Sequence, residues 1–242
     1  ATMSHEQNSI VGVSNKMVAK YMDAIVICYE KCFEEFGREK TRLLGNPRAT
    51  NAVHAKFDRD YFLSLGLSLH KPLILVVMGS LGSTSVNAIM KDALPAVSER
   101  YQILFVTGKN NYEEMRKQIH APHVKVVDYV KQLDIMAHVD LIVCRAGATT
   151  AAEITALGTP SILVPSPYVA HNHQFYNASV LVDHKAAVML EEKDLNAEAL
   201  SNAIDRIMSD DLLRASMHSA SLALGKPNAS EDILNWCDEM KR

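Results

Sequence analysis

Residues 73–83 read Leu73-Ile74-Leu75-Val76-Val77-Met78-Gly79-Ser80-Leu81-Gly82-Ser83, and this stretch decides the fold. Six apolar residues without a polar interruption read as a strand buried on both faces, which is the pattern of a parallel sheet. Glycines and serines end the run, and a helical pattern follows from Thr84 to about Arg100. The unit then repeats. Apolar runs at Ile103–Val106, Val124–Val127, Leu141–Cys144, Ser161–Val164 and Ala187–Leu190 alternate with helical patterns at Tyr112–Ile119, Lys131–Ala137, Thr149–Leu157 and His173–Asp183. Strands and helices alternating at this spacing make right-handed βαβ units, hence an α/β fold with a doubly wound parallel sheet. Gly158-Thr159-Pro160 stops one helix, because Gly caps the end and Pro cannot continue it. Residues from about Asn196 to Ser221 add two flanking helices.

Upstream the pattern is incomplete. Val13–Lys20 and Lys31–Phe36 read as helices, and Ala24–Cys28 and Thr41–Leu44 as strands. Two βα units cannot enclose a core, so residues 1–48 read as the tail of another α/β domain. Gly45-Asn46-Pro47 ends it. Arg48–Lys71 reads as a linker with a short helix near Tyr61–Leu65. The turn signal Gly225-Lys226-Pro227 precedes a last helix at about Ser230–Met240. The expected division is a remnant at 1–48, a complete domain at 49–227 and a final helix within 228–242. Because the chain opens on Ala1, it is read as a fragment of something longer.

Composition narrows the function. With 48% hydrophobic residues in 242, the chain is neither disordered nor a disulfide-stapled miniprotein. Lys plus Arg is 25 and Asp plus Glu is 28, a balance that argues against a dedicated nucleic-acid binder. The four cysteines, Cys28, Cys32, Cys144 and Cys237, fall on apolar or helical segments and read as reduced cytosolic thiols. No apolar run approaches the roughly 20 residues of a membrane span, and no signal peptide is read.

In an open parallel sheet, ligands sit beyond the carboxyl ends of the strands. Gly79–Ser83 offers backbone amides and a helix N-terminus to a phosphate. It is neither G-x-G-x-x-G nor a Walker loop, and alone it is equally a tight turn. In Arg145–Glu153 a small-residue turn opens a helix, and Glu153 could accept the two vicinal hydroxyls of a ribose. The same spacing fits a capping box with a threonine as N-cap. In Pro165–Asn177, His171 and His173 find no third metal ligand nearby, so metal is not expected. Gln174 and Asn177 share one helical face, suited to sugar hydroxyls or simply solvated. His5-Glu6-Gln7-Asn8 superficially matches H-E-x-x-H, but Ser9 replaces the second His. Otherwise it is a polar turn after a strand that the chain lacks. No G-x-S-x-G elbow is present. Cys28 and Cys32 read as packing residues, and Met78, Met90 and Met136 as core filling.

Taken in order, these motifs carry a resemblance. His5-Glu6-Gln7-Asn8, Gly45-Asn46-Pro47-Arg48, Gly79-Ser80-Leu81-Gly82-Ser83, Cys144-Arg145-Ala146-Gly147-Ala148-Thr149, Ala152-Glu153-Ile154, Gly158-Thr159-Pro160 and His173-Gln174-x-x-Asn177-Ala178 resemble the MurG family in order and spacing. That family comprises the UDP-N-acetylglucosamine:undecaprenyl-pyrophosphoryl-MurNAc-pentapeptide N-acetylglucosaminyltransferases of peptidoglycan synthesis. The resemblance implies a GT-B fold, with two Rossmann-like domains facing each other across a cleft. The carboxyl-terminal domain would bind the UDP-sugar and the amino-terminal domain the lipid acceptor, with the last helix crossing back to the first domain.

The resemblance also implies residue roles. Ser80, Gly82 and the amides of their loop would face the diphosphate. The backbone at Val130, after Tyr129, would read uracil, with Leu133 packing nearby. Arg145, Ala148 and Thr149 would line the nucleotide-sugar site, and Glu153 would hold the ribose. Gln174 and Asn177 would read the N-acetylglucosamine ring. His5, Glu6 and Asn8 would lie on the acceptor side of the cleft, with Arg48 near the hinge on that side. The implied reaction is inverting transfer from UDP-N-acetylglucosamine to lipid I, giving lipid II. Its general base would lie in a segment upstream of Ala1, so no catalytic residue is assigned within this chain. No cofactor is obligatory; Asp210-Asp211 falls at a helix boundary and not in a D-x-D clamp. The implied partners are UDP-N-acetylglucosamine, lipid I at the membrane surface and cell-wall synthesis proteins, with no nucleic acid. The implied location is cytoplasmic, peripheral on the inner face of the bacterial membrane. Two departures stand out: Arg48 follows Pro47 directly, and Met78 replaces a Gly found in many members. The alternatives are another GT-B UDP-sugar enzyme, such as a diacylglycerol glycosyltransferase or an epimerase, or a nucleotide-sugar binding module without catalysis.

Overall fold

A computed structural model describes residues 1–79 and 83–241. The strands are β1 (Met3–Glu6), β2 (Ala24–Ile27), β3 (Thr41–Leu43), β4 (Leu73–Val77), β5 (Gln102–Val106), β6 (Val124–Val127), β7 (Leu141–Cys144), β8 (Ser161–Leu163) and β9 (Ala187–Met189). The α-helices are α1 (Val13–Val18), α2 (Phe33–Phe36), α3 (Pro47–His54), α4 (Arg59–Ser64), α5 (Thr84–Ala93), α6 (Lys109–Gln118), α7 (Gln132–Met136), α8 (Ala148–Leu157), α9 (His173–Asp183), α10 (Ala197–Ser209), α11 (Asp211–Leu224) and α12 (Ala229–Glu239).

The strands form two all-parallel sheets: a small one ordered β1-β2-β3 and a large one ordered β6-β5-β4-β7-β8-β9. Both faces of the large sheet are covered, which is why its strands carry no polar alternation. Successive side chains point to opposite faces. Ile74, Val76, Ile103 and Phe105 pack with Val86 and Met90 of α5, Met115 of α6 and Ile204 of α10. Leu73, Leu75 and Leu104 pack with Phe62 of α4, Ile135 of α7, Ile154 of α8 and Leu181 of α9.

Three expectations are corrected. The segment before Gln7 is a strand: β1 pairs in parallel with β2, Met3 opposite Ala24 and Glu6 opposite Ile27. Its sequence, Met-Ser-His-Glu, has no apolar run, and three of its four residues are only half-buried. The segment read as a linker is helical over Pro47–His54. Pro47 does not break this helix because it takes the first helical position, where no backbone donor is needed, and Asn46 caps it by accepting the Arg48 N–H at 3.0 Å. The helix expected to reach Arg100 ends at Ala93, followed by a 3-10 turn through Pro95.

Helix α3 packs on α8, and α12 packs on both α3 and the small sheet. Trp236 of α12 is buried against Ala24 and Val26, with the Arg42 guanidinium 4.5 Å above its ring. The two chain crossings between the sheets meet at Gly45 (φ +86°), where a Cβ would lie 2.4 Å from the Cβ of Lys226. Only glycine satisfies both the backbone angle and the contact there.

Candidate functional site

In the large sheet β4 and β7 are neighbours, and the chain winds outward from them in opposite directions. This switch point leaves a crevice at the carboxyl ends of the strands. A cavity of about 860 Å³ occupies it. Its walls are Met78, Gly79 and Ser83 after β4, residues 128–134 after β6, Arg145 and Gly147 after β7, and Ser166, Tyr168, Val169 and Gln174 beyond β8. Ser80 and Gly82, expected at the diphosphate, lie outside the described residues; their neighbours Gly79 and Ser83 line the cavity.

Helix α8 opens at this crevice. Its N-cap is Gly147, which has no side chain to satisfy the first-turn amides. The amides of Ala148, Thr149 and Thr150 therefore remain donors at the positive end of the helix. Thr149 and Thr150 line the cavity, whereas Ala148 lines a second one. The threonine-capped box is not formed, because the helix starts three residues earlier than that reading requires. Arg145 is fixed beside the helix start: Nη1 donates to the Val164 carbonyl at 3.0 Å and Nη2 to Ser83 Oγ at 3.0 Å. Glu192 Oε2 lies 2.8 Å from Nη1 but off the N–H direction.

Glu153, on the second turn of α8, is 3% exposed. Arg48 reaches it from α3: its Nε donates to Oε1 at 2.9 Å, and Nη2 donates to the same oxygen. Gln132 Nε2 donates to Oε2 at 3.1 Å. Arg48, expected on the acceptor side, is thus corrected: it turns into the crevice of the large sheet, where it and Glu153 both line the cavity. Val130 is buried on the same wall, and its N–H and C=O make no hydrogen bond among the described residues. Leu133 and the exposed Tyr129 flank it.

The remaining expected residues separate. Gln174 lines the cavity and accepts the Ser166 N–H at 2.9 Å through Oε1, which leaves its amide N–H groups without a partner among the described residues. Asn177 is corrected. It is fully buried, accepts the Ser9 N–H at 2.8 Å, and donates to Asn8 Oδ1 at 3.1 Å and the Ala146 carbonyl at 3.2 Å. A residue so committed holds the two sheets together and has no donor left for a sugar hydroxyl. Asn8 shares that junction.

Glu6 is also corrected from cleft to scaffold. At 2% exposure its carboxylate accepts the N–H groups of Asn8 and Gly12 and the side-chain amide of Asn15. His5 Nε2 lies 3.3 Å from Cys28 Sγ. Burial pulls its pKa below the ordinary value, opposed by a hydrogen bond to Gly45 and by the Glu6 charge. Burial likewise pushes the Cys28 thiol up to about 12.

The second cavity, of about 430 Å³, lies between the small sheet and helices α8, α9 and α11, and its lining mixes alanines and leucines with polar and charged residues, among them Glu30, Lys31, Asn46, His184 and Lys226. It gathers no guanidinium, whereas Arg48, Arg145, Glu153 and the start of α8 converge in the larger one. Among the described residues no three metal-ligating side chains converge, and no helix is long and apolar enough to cross a membrane. Gln132 was not anticipated: nothing in the sequence links it to a carboxylate 21 positions away.

Two parallel sheets joined by paired crossings, with the polar crevice at the strand ends of the larger, define the GT-B class of fold. The profile of the glycosyltransferase family 28 C-terminal domain matches residues 73–233. The UDP-N-acetylglucosamine--N-acetylmuramyl-(pentapeptide) pyrophosphoryl-undecaprenol N-acetylglucosamine transferase of Limosilactobacillus reuteri is 41% identical over 242 residues, covering 96% of this chain and 65% of the relative. The enzyme of the same name from Bacillus subtilis is 38% identical over 247 residues, covering 100% of this chain and 68% of the relative. The crystal structure of Acinetobacter baumannii MurG shares the fold at a TM-score of 0.80 and 22% identity, over 98% of this chain and 66% of that one. The chain belongs to the MurG family of glycosyltransferases. It spans about two thirds of the length of these relatives.

Proposed function

We propose that this chain is the donor-binding portion of an inverting glycosyltransferase. It would transfer N-acetylglucosamine from UDP-N-acetylglucosamine to lipid I, the undecaprenyl-pyrophosphoryl-MurNAc-pentapeptide, to give lipid II. Residues 49–227 form the donor domain, residues 1–48 belong to the acceptor domain, and the final helix returns to the latter. The observation that carries the reading is the convergence, in one crevice, of the uncapped α8 N-terminus, Arg145 and the buried Glu153.

The acceptor hydroxyl attacks the anomeric carbon, the bond to the diphosphate breaks, and UDP leaves. Negative charge grows on the diphosphate, and preorganised N–H donors at a helix N-terminus stabilise it without reorganising. The α8 amides fill that role together with the loop of Ser80 and Gly82. Glu153 accepts from the ribose, the Val130 backbone reads the uracil edge, and the Gln174 amide donates to the sugar. Holding donor and acceptor across the cleft supplies much of the remaining rate. The general base that takes the acceptor's proton comes from the third of the relatives' length that this chain does not span. No obligatory metal is assigned. Since the acceptor is a membrane lipid, the enzyme works at the inner face of the membrane, beside other cell-wall synthesis proteins.

The test is transfer of labelled N-acetylglucosamine to a lipid-pyrophosphoryl-MurNAc-pentapeptide acceptor. It is run with this chain alone and with this chain joined to the amino-terminal third of a relative. Turnover in the joined protein, with UDP-N-acetylglucosamine preferred over UDP-glucose, supports the reading. Binding of donor without turnover in either form would leave a nucleotide-sugar binding module instead.

A further inference from the structure

We propose that the smaller cavity, behind helix α8, is a binding site for an alkyl carboxylate. The aliphatic chain lies between the small sheet and helices α8, α9 and α11, and the carboxylate meets Lys31 and Lys226 at the mouth. The site is separate from the crevice of the large sheet and does not rest on the donor reading.

Helix α8 walls both cavities with different faces. Ala148, Ala151, Ala152 and Thr155 line the smaller one, a spacing that keeps to one side of a helix. Thr149, Thr150 and Glu153 line the larger. The smaller cavity, at about 430 Å³, falls within the range of about 300–1,000 Å³ that holds small molecules. Opposite the alanines stand Leu43, Val180, Leu181 and Leu224. Small side chains on one wall make the room and branched aliphatic ones on the other line it. That surface suits a flexible alkyl chain better than a flat ring system.

The mouth supplies the charge. Lys31 and Lys226 are both exposed there. Lys226 makes no ion pair or hydrogen bond among the described residues, and its stem is fixed by the close approach of its Cβ to Gly45. Lys31 reaches across to α9, its Nζ 5.7 Å from the centre of the Tyr176 ring, and pairs with no carboxylate among the described residues. Glu30 is the one carboxylate in the lining, so the two ammonium groups leave an excess of positive charge. His184 spends Nδ1 on the Val180 carbonyl of its own helix, at 2.8 Å. Tyr29 is half-buried in the same lining, and its hydroxyl makes no hydrogen bond among the described residues. Burial raises its pKa, so the phenol stays protonated and can donate to a carboxylate. Lysines act as point charges on flexible stems and need no fixed geometry to receive such a group.

The experiment measures binding of decanoate and decylammonium by calorimetry to the 242-residue chain, to Ala152→Leu, to Lys226→Ala and to the double variant Lys31→Ala with Lys226→Ala. Thermal melts confirm that each variant folds. Ala223→Leu, on the helix packed against α8, replaces Ala152→Leu if that chain does not. Decanoate binds the unmodified chain at one site, and decylammonium binds at least tenfold more weakly. Ala152→Leu fills the cavity and weakens decanoate at least tenfold. Lys226→Ala weakens it about threefold and the double variant about tenfold, the scale of partly exposed charge pairs. Absence of saturable decanoate binding, or equal or tighter binding of decylammonium, overturns the proposal. So does decanoate binding that is unchanged in the folded cavity-filling variant, which would place it elsewhere on the chain, or unchanged in the double lysine variant.

Discussion

The side-chain oxygen of Asn177 accepts the backbone N–H of Ser9 at 2.8 Å, so two residues 168 positions apart pin the amino-terminal loop to helix α9 of the large sheet. Both are buried, Asn177 completely and Ser9 to 2% exposure. Replacing Asn177 with Ala strands the Ser9 amide away from water, which costs about 1–3 kcal/mol. Urea unfolding of Asn177→Ala measures that loss. The preference for N-acetylglucosamine over its epimers stays unchanged. A variant that is fully stable but has lost sugar preference would contradict the assignment of Asn177 to the junction.

Glu153→Ala weakens UDP binding by about 1–3 kcal/mol, the scale of a hydrogen bond to a charged group. Calorimetric titration with UDP alone measures it, since the effect is assigned to the ribose and not to the sugar. Unchanged affinity would leave Glu153 as a structural partner of Arg48 and nothing more.

His5 gives the chain a pH signature. Burial lowers its pKa below the ordinary 6.5, so below that value the unfolded chain takes up a proton that the folded chain resists. Stability is complete above about 6.5 and falls as the pH drops from there toward the folded value. In His5→Gln this component of the slope disappears. The difference between the two proteins' stabilities, followed by urea unfolding from pH 7.5 to 5, therefore varies with pH. A constant difference over that range would show that His5 titrates alike in both states.

Trp236 holds the last helix to the small sheet. Removing a buried tryptophan typically costs about 3–5 kcal/mol, and here it also takes away the ring beneath the Arg42 guanidinium. Trp236→Ala lowers the unfolding midpoint followed by circular dichroism. Because this is the only tryptophan in the chain, its fluorescence in the unmodified protein reports whether α12 is docked. A loss below about 1 kcal/mol would mean that α12 adds little to the small sheet.

The large sheet was legible because its strands are buried on both faces and so stand out as unbroken apolar runs, from Leu73–Val77 to Leu141–Cys144. Strand β1 was not, because Met-Ser-His-Glu has no such run, and pairing with Ala24–Ile27 makes it a strand. Helix α3 was hidden by Pro47, a residue that opens helices as readily as it ends them, depending on whether a cap such as Asn46 precedes it. Within the site, the loop positions could be read from local spacing. The partners of Glu153 could not, since Arg48 lies 105 residues away and Gln132 is an unremarked amide after a strand. Asn177 illustrates the opposite error. Its helical face suits a ligand as well as a neighbouring domain, and spacing alone cannot distinguish a sugar hydroxyl from the backbone of Ser9.

The crevice of the large sheet is proposed to bind UDP-N-acetylglucosamine. The most direct test is calorimetric titration of the 242-residue chain with UDP-N-acetylglucosamine, with UDP-glucose and a purine nucleoside diphosphate as controls. Binding is expected to be saturable at one site per chain, tighter for UDP-N-acetylglucosamine than for UDP-glucose and absent for the purine nucleotide. No binding by a chain shown to be folded, or equal binding of the purine nucleotide, would contradict it.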